Sequence, residues 1–286
     1  MDGSGFRISY SGMAGPLSGD DLLHLRVLVA DHFPIDRDWN ARDVRSPYWR
    51  IYRNLHDGAE VLLPDGGRHR ITARHLHLIP AWVTFTCRCT AQVDHLYAHV
   101  DLLGVPGAVV REVFPRPFAL PLDAALTGAC DRLAERLADP AQPDAARLCA
   151  TKAMAYEAFA RAFAGLPQGQ AERCVALRRS GHAVAPALAL IDFRPDETQS
   201  NAVLARACGL SEDHFIRRFR ALVGQTPAQY VLERRIAAAA QRLLAGEEPI
   251  DDIAAACGFP DRFYFTRMFS RKMGLPPAAY RTRGRV

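Results

Sequence analysis

The last third of this chain contains one residue pattern twice, and this repeat constrains the fold more than any other feature. The stretch Leu204-Ala205-x-x-Cys208-Gly209-Leu210 returns as Ile253-Ala254-x-x-Cys257-Gly258-Phe259. A phenylalanine pair and a Gly-x-x-Pro-x-x-Tyr stretch follow each copy; they are Phe215, Phe219, Gly224, Pro227, Tyr230 and Phe265, Phe269, Gly274, Pro277, Tyr280. Each copy predicts two helices around a tight turn, because glycine takes positive φ at little steric cost.

The turns and the segment between the two copies carry their own signals. Ser211 and Asp261 precede the second helices, where a side-chain oxygen can accept a hydrogen bond from a free N–H group. Residues 227–244 predict one long helix that opens with Pro227, whose missing N–H costs little in a first turn. Eighteen residues of helix span about 27 Å, which suits two helix pairs set about one DNA turn, ~34 Å, apart.

The second helix of each copy has two chemically different faces. At 100° per residue, the phenylalanine pairs share one face and predict a core role. The opposite face carries Asp213, Ile216, Arg217 and Arg220 in the first copy, and Phe263, Thr266, Arg267 and Ser270 in the second. Arg217 and Arg267 occupy equivalent positions. An arginine there can donate two hydrogen bonds to guanine, so the matched pair favours DNA contact over a plain solvated surface.

Charge is concentrated in the same part of the chain. The whole sequence of 286 residues has a net charge of +5. Residues 183–286 hold 15 basic and 11 acidic residues, so most of the excess lies on the repeat. A polyanionic partner would use this excess, although a solvated basic surface would look the same in composition alone.

These residues together resemble a known family. Residues 184–286 are similar to the DNA-binding domain of the AraC/XylS family of bacterial transcription regulators, most closely over Ile253–Arg281. The resemblance implies two helix-turn-helix motifs that bind promoter DNA, a homodimer, contact with RNA polymerase, and a regulator that acts as an activator. The family's base-contacting positions fall on Asp213, Ile216, Arg217, Arg262, Phe263, Thr266 and Arg267.

Two of these positions leave alternatives open. Phe263 is an aromatic residue on the face away from the core; it could contact a thymine methyl group or pack against the first helix of its own pair. Asp213 places an acid in the DNA-facing set. It could accept a hydrogen bond from cytosine N4, or it could weaken the approach of phosphates.

The first half of the chain has a different pattern. A short helix is predicted at Asp20–Ala30, and then four to six strands between Tyr48 and Leu103, separated by turn residues. Helices are predicted over 122–138 and from Pro143 to Gly165, with an apolar stripe that serves either packing or dimerisation. We therefore expect an α+β protein: a small antiparallel sheet or barrel in residues 1–120, a helical segment in 121–166, a linker in 167–182, and an all-α domain in 183–286. Leu76–Pro80 and the strand around His95–Leu102 resemble the cupin-like barrel of AraC-type sensor domains, and this resemblance implies a cupin-like barrel.

The strand pattern also suggests a ligand pocket. His95, Tyr97 and His99 alternate onto one strand face, and Leu96, Ala98 and Val100 onto the other. If the ring-bearing face is the inside of the barrel, it lines a pocket; facing solvent is the alternative. A small effector, such as a sugar stacked on aromatic rings, would contact Trp49, His77, Trp82, His95 and Tyr97, with Tyr52 nearby.

Other function classes find less support. His75-x-His77 has metal-capable spacing, but no carboxylate follows it, so we expect neither metal nor cofactor. No nucleotide-binding glycine loop, nucleophile elbow or zinc-protease motif is present, which disfavours an enzyme. A cupin metalloenzyme fused to a DNA-binding domain, and a regulator controlled by a protein partner, remain alternatives.

Localisation follows from two further patterns. The seven cysteines are odd in number and lack a C-x-x-C pair, which is typical of a reduced, cytoplasmic protein. There is no apolar run of membrane-spanning length and no signal-peptide pattern, so we expect no membrane partner.

Overall fold

The computed structural model describes residues 23–177, 182–197 and 200–283 as a mixed α+β protein. Its strands are β1 His24–Ile35, β2 Ala41–Arg45, β3 Trp49–Asn54, β4 Ala59–Leu62, β5 Arg68–Ile71, β6 His75–Ile79, β7 Thr84–Cys89, β8 Val93–Leu103 and β9 Phe118–Pro121. Its helices are α1 Gly107–Val113, α2 Ala124–Ala138, α3 Asp144–Ala164, α4 Gln168–Ala176, α5 Ala185–Phe193, α6 Asn201–Ala207, α7 Glu212–Val223, α8 Pro227–Ala245, α9 Ile250–Ala256, α10 Arg262–Met273 and α11 Pro277–Arg283. A short 3-10 turn lies at Arg37–Trp39.

The strands form two antiparallel sheets. The first has the order β1-β8-β3-β6-β9, and the second has the order β2-β7-β4-β5. Strands β3 to β8 are the six that fall between Tyr48 and Leu103, within the predicted number. Along β8, Leu96, Ala98 and Val100 pack with the helices, whereas Tyr97 packs with the residues between the sheets. The predicted alternation of the two faces is therefore confirmed.

The predicted helix at Asp20–Ala30 is wrong over the part that the structure describes. Residues 24–35 form strand β1, and residues 20–22 lie outside the described residues. β1 pairs with β8 from His24–Leu103 to Ile35–Val93, with one irregularity between Val27 and Val29. Long antiparallel pairing satisfies the backbone groups of β1, and this tertiary interaction overrides the local helical signal.

The helical layer covers the outer face of the first sheet. α2 begins after Asp123, whose carboxylate accepts a hydrogen bond from the Leu126 N–H at 2.9 Å, and α3 follows Pro143. Most of the predicted apolar stripe on α3 is buried inside the chain, at Ala155, Phe159 and Ala162. Those three residues serve intramolecular packing, and Leu148 at the start of the stripe is exposed.

The segment predicted as a linker, 167–182, contains helix α4. Cys174 and Leu177 are buried in the main core, and the side chain of Arg173 donates two hydrogen bonds to Glu112 of α1, at 2.8 and 2.9 Å. The polar composition of this segment thus belongs to the outer side of a packed helix. Residues 178–181 lie outside the described residues.

The C-terminal helices follow the predicted boundaries closely. α8 extends over 227–245 and begins with a capping box in which Thr226 and Gln229 exchange hydrogen bonds. Asp261 caps α10 by accepting from the Tyr264 N–H at 2.7 Å. Ser211 occupies the same position before α7, but its side chain makes no capping hydrogen bond, so the predicted cap interaction is wrong there.

A single apolar core joins the two halves of the molecule. It contains Ala98 and Val100 of the sheet, Val109 of α1 and Leu188 of α5, and it continues to Phe215 of α7. No helix within the described ranges is long and apolar enough to cross a bilayer. The two halves therefore meet through packed side chains, and this contact positions the features described next.

Candidate nucleic-acid interface and ligand cavity

The two helix pairs, α6–α7 and α9–α10, are built around the same turn. Gly209 and Gly258 have φ of 65° and 76°, the left-handed conformation that the sequence predicts for both. In each turn the N–H of the next residue reaches back to an alanine carbonyl at 3.0 Å: Leu210 to Ala205, and Phe259 to Ala254. The repeat in the sequence is therefore a repeat in backbone geometry.

The repeated aromatic residues form the scaffold of each pair. The rings of Phe215 and Phe219 lie 5.5 Å apart, and those of Phe265 and Phe269 lie 5.4 Å apart. All four are fully buried. The closing tyrosines cover them, with Tyr230 against Phe219 and Tyr280 against Phe269. The predicted core role of the phenylalanines is confirmed.

The seven candidate base-contacting residues lie on the opposite, outward faces of α7 and α10. Ile216 and Thr266 are half-buried, and the other five are exposed: Asp213, Arg217, Arg262, Phe263 and Arg267. Phe263 is 86% exposed, so it does not pack against α9. The packing alternative for Phe263 is therefore wrong, and its ring is available to an external partner.

The three arginines among these residues have different surroundings. Arg262 forms an ion pair with Asp251 of α9, at 3.0 Å. Arg267 lies over the ring of Tyr264, with 5.5 Å between its Cζ atom and the ring centre. Arg217 is exposed, and no ion pair found within the described residues includes it. Arg217 and Arg267 thus keep their guanidinium groups available for an acceptor outside the chain, whereas Arg262 must first leave Asp251.

A cavity of about 720 Å³ lies between the sheets and helix α8. Strands β1, β2, β3 and β8, with Trp39 before β2 and Tyr48 after it, supply most of its wall: Arg26, Val27, Leu28, Val29, Asp31, Phe33, Trp39, Ala41, Val44, Tyr48, Arg50, Tyr52, His95, Tyr97 and His99. α8 closes it with Gln241, Arg242, Leu244 and Ala245. The size is in the range of sites that hold small organic ligands.

Two of the five predicted effector-binding residues, His95 and Tyr97, line this cavity, and three do not. Trp49 is only 1% exposed and packs against Phe114 and Phe159, at 5.2 and 5.0 Å between ring centres. Trp82 lies beneath the guanidinium groups of Arg45 and Arg111, at 6.0 and 5.8 Å from the ring. His77 is also buried elsewhere.

His77 belongs to a separate histidine cluster on β5 and β6. Its Nδ1 atom lies 2.8 Å from His69, and its Nε2 atom accepts a hydrogen bond from the Thr72 N–H at 2.9 Å. His75 contacts the hydroxyl of the same Thr72. In the described part of the chain, no three His, Cys, Asp or Glu side chains converge as a metal site. Both His77 nitrogens are thus engaged within the protein.

The sequence missed the part of the cavity wall that comes from β1 and α8. Val29, Asp31 and Phe33 belong to the strand that was predicted as a helix. The alternation from Val27 to Phe33 is the signal that could have revealed them. The contribution of α8, such as Gln241, depends on how the two halves pack, and a single sequence carries no signal for it.

Burial controls the charge state of the cavity wall. Burial and nearby His32 lower the pKa of His95 to about 3, and its Nδ1 atom lies 2.7 Å from the Asn54 side-chain oxygen. Burial and Arg50 lower the pKa of His99 well below its usual range. Burial and Asp31 raise the pKa of Tyr97 to about 12. At neutral pH these rings are uncharged and serve as hydrogen-bonding groups.

Contacts beside the cavity connect α8 to the sheet-bearing half. Arg234 of α8 pairs with Asp101 of β8 at 2.9 Å and with Asp192 of α5 at 3.1 Å. Next to it, Glu233 is buried and faces Arg111 of α1 at 3.4 Å. The helix between the two helix pairs is therefore fixed to the sheets by buried charges.

Comparisons with known proteins match the C-terminal repeat by sequence. A family model described as a helix-turn-helix domain matches residues 204–283. The MmsAB operon regulatory protein of Pseudomonas aeruginosa is 43% identical over 82 residues, which cover 29% of this chain and 27% of that protein. SoxS of Escherichia coli, a regulatory protein, is 35% identical over 96 residues, which cover 34% of this chain and 90% of SoxS. The match thus spans about a quarter of the first relative and nearly all of the second.

The whole fold also has relatives among solved structures. ToxT from Vibrio cholerae superposes with a TM-score of 0.53 at 9% identity, covering 91% of this chain and 97% of ToxT. A ToxT structure with bound unsaturated fatty acid gives 0.54 at 11% identity, covering 89% and 95%. At such low identity the similarity concerns the fold alone. The sequence match over nearly all of SoxS, together with the repeated helix pairs, shows that this chain belongs to the AraC/XylS family of transcription regulators.

Proposed function

We propose that the protein controls transcription in response to a small effector bound in the cavity. The observation that carries this proposal is that α8, which joins the two helix pairs, also closes the cavity through Gln241 and Leu244. A ligand there would contact the sheets and the DNA-binding half together. An effector shifts such a system only when it binds one arrangement more tightly than another.

On the DNA side, α6–α7 and α9–α10 would act as two helix-turn-helix motifs in successive major-groove segments. α7 would read bases with Asp213, Ile216 and Arg217. α10 would read them with Arg262, Phe263, Thr266 and Arg267. α8 has 19 residues and therefore spans about 28 Å, close to one turn of DNA.

DNA recognition can be tested with sites selected from random duplexes by the full chain. Arg267→Ala is expected to weaken the selected site by about 5- to 100-fold, the range for a lost bidentate contact to guanine, with little change on unrelated DNA. Arg271→Ala on the same helix is the matched control. Fluorescence anisotropy at constant salt gives both values, and equal losses for the two variants would contradict the assignment of Arg267.

Residues 1–120, whose described part from residue 23 onward contains most of the sheets, would be a cupin-like sensor. The protein would act as an activator that contacts RNA polymerase. Activation is supported by the similarity to RhaR of Klebsiella pneumoniae, a transcriptional activator that is 41% identical over 87 residues, which cover 29% of this chain and 31% of RhaR. In-vitro transcription from a promoter with the selected site distinguishes activation from repression.

A homodimer is the expected assembly. The buried stripe of α3 is used inside the chain, so the dimer would use the outer face, where Leu148 and Tyr156 are 44% and 42% exposed. Sedimentation equilibrium of Leu148→Arg checks this, with Arg132→Ala on α2 as the control. If Leu148→Arg leaves the self-association constant unchanged, this face is not the interface.

A further inference from the structure

Arg50 lies on the cavity wall without an acidic partner among the residues that the structure describes. Its Nη1 atom donates a hydrogen bond to the Ser46 hydroxyl at 2.5 Å. The guanidinium group also lies 5.0 Å from the ring centre of Tyr48 and 5.3 Å from that of Phe85. Uncharged groups thus surround a permanently charged side chain in the interior.

The neighbouring ionisable groups do not neutralise this charge. Burial, and then the charge of Arg50 itself, lower the pKa of His99, so that ring stays neutral. Burial raises the pKa of Tyr52, so its phenol stays protonated. Buried charges in proteins are normally paired, because an unpaired ion loses its hydration without compensation. An anion in the cavity would supply the missing partner.

The rest of the wall indicates what kind of anion fits. Val29 and Phe33 are 37% and 41% exposed, and both line the cavity, where Trp39 adds a further aromatic side chain. Among the described lining residues, Asp31 is the one acid; it lies opposite Tyr97 in the β1–β8 pairing. Two further arginines line the wall: Arg242 is paired with Glu248, and Arg26 donates a hydrogen bond to Gln241. With Asp31 on the same wall, the exposed apolar side chains favour an anion with one charge and an apolar body.

We propose that the effector is an organic monocarboxylate whose carboxylate binds the Arg50 guanidinium and whose apolar body lies against β1 and Trp39. This inference rests on the proposed function and narrows its effector. A guanidinium fork matches the two carboxylate oxygens, which a neutral sugar lacks. The two tryptophans that favoured sugar stacking, Trp49 and Trp82, are outside the cavity. Contact with Leu244 would couple the bound acid to α8.

The test compares acids with their uncharged amides in thermal unfolding of the full chain. The probes are octanoate, 3-phenylpropanoate and 1-naphthylacetate, each beside its primary amide, with glucose and arabinose as neutral sugars. At about 100 times its dissociation constant, a bound acid should raise Tm by roughly 5 °C or more. Octanoate and the aryl acids distinguish an aliphatic from an aromatic body. No shift with any acid, or equal shifts with the amides or sugars, overturns the proposal.

Variants of Arg50 give a second test, measured first without ligand and then with the acids. Arg50→Met removes the charge and keeps much of the volume, so the ligand-free variant should be as stable as the parent or more stable. It should also lose the acid-induced shift, and Arg50→Lys should retain part of it. Arg70→Met, an exposed arginine on β5, is the control. A Tm of Arg50→Met well below the parent would instead assign Arg50 a structural role and contradict the proposal.

DNA binding by the same proteins distinguishes a failure of effector control from a failure of the carboxylate site. If Arg50→Met binds the selected site as the parent does, but no longer responds to the acid, both proposals stand. If the parent binds DNA and its affinity is unaffected by an acid that does bind, effector control fails although the carboxylate site remains. If no acid binds while sequence-specific DNA binding persists, only the carboxylate inference fails.

Discussion

Tyr264 and Arg267 form a stacked pair on the outward face of α10, with 5.5 Å between the Arg267 Cζ atom and the ring centre. Tyr264 also contacts Phe259, which follows the glycine turn, at 6.4 Å between ring centres. The turn therefore positions Tyr264, and Tyr264 restricts the rotamers of Arg267. A side chain held in advance loses less conformational entropy when it binds a base.

Replacing Tyr264 should therefore affect recognition through Arg267. Tyr264→Leu is expected to weaken the selected DNA site by about two- to fivefold, the strength of an exposed cation–π contact, and Tyr264→Phe should retain affinity. Anisotropy titrations of Arg267→Ala, made in the parent and in Tyr264→Leu, test whether Tyr264 and Arg267 are coupled. If Tyr264→Leu costs the same with and without Arg267, the two residues act independently.

The two glycine turns give a matched pair of substitutions. Both have positive φ, so alanine should cost about 1–2 kcal/mol of unfolding free energy at Gly209, where no atom lies near an added Cβ. At Gly258 an added Cβ would collide with the carbonyl oxygen of Asp196, so the cost should be larger by at least about 1 kcal/mol. Urea unfolding of Gly209→Ala and Gly258→Ala checks the order; equal costs would mean that the Asp196 backbone moves freely.

Stability should fall in mild acid because of His95. Its pKa is about 3 in the folded chain, whereas the ordinary value of 6.5 applies to the unfolded chain. As the pH decreases, the unfolded chain therefore binds the proton first. The loss should begin near pH 6.5 and continue to about pH 3, at up to about 1.4 kcal/mol per pH unit. Urea unfolding at pH 7.5 and 5.5 should show a smaller difference for His95→Gln than for the parent. The exposed His56→Gln is the control, and an unchanged pH dependence in His95→Gln would exclude His95 as the cause.

Much of the C-terminal half could be predicted because its signals are local. The spacing of Gly209 and Gly258 with the four phenylalanines defines each helix pair without reference to the rest of the chain. The same holds for α8, which begins at its proline. The exposed positions of α7 and α10 followed from helical geometry alone.

The cavity depends on contacts that the sequence does not encode locally. β1 is a strand because it pairs with β8, about seventy residues later. Trp49 is in the core because α3 covers its face of the sheet, as the contact with Phe159 shows. Arg50, the next residue, lies on the opposite face and lines the cavity. The correct side for each could not be assigned before the packing of the helices was known.

The ion pair between Asp101 and Arg234 should hold the two halves together. Both side chains are largely buried, so Asp101→Asn is expected to lower the unfolding free energy by about 1–3 kcal/mol, the cost of an imperfectly compensated buried charge. The pair of Arg53 with Asp131 provides the control, because Asp131 is 52% exposed and Asp131→Asn should cost under about 1 kcal/mol. Chemical unfolding gives both values, and similar costs would indicate that Asp192 alone satisfies Arg234.

If α7 and α10 read DNA as proposed, the different side chains on their outward faces would give the bound complex a direction along DNA. Ile216 occupies the position that Thr266 occupies in the second copy, so the two groove segments present unlike chemistry to one chain. The site of one chain therefore has a head and a tail. Because buried charges fix α8 to the sheets, inverting the site in a promoter would also move the sheet-bearing half to the opposite flank. The orientation of a site, as much as its sequence, should decide what this regulator can reach from it.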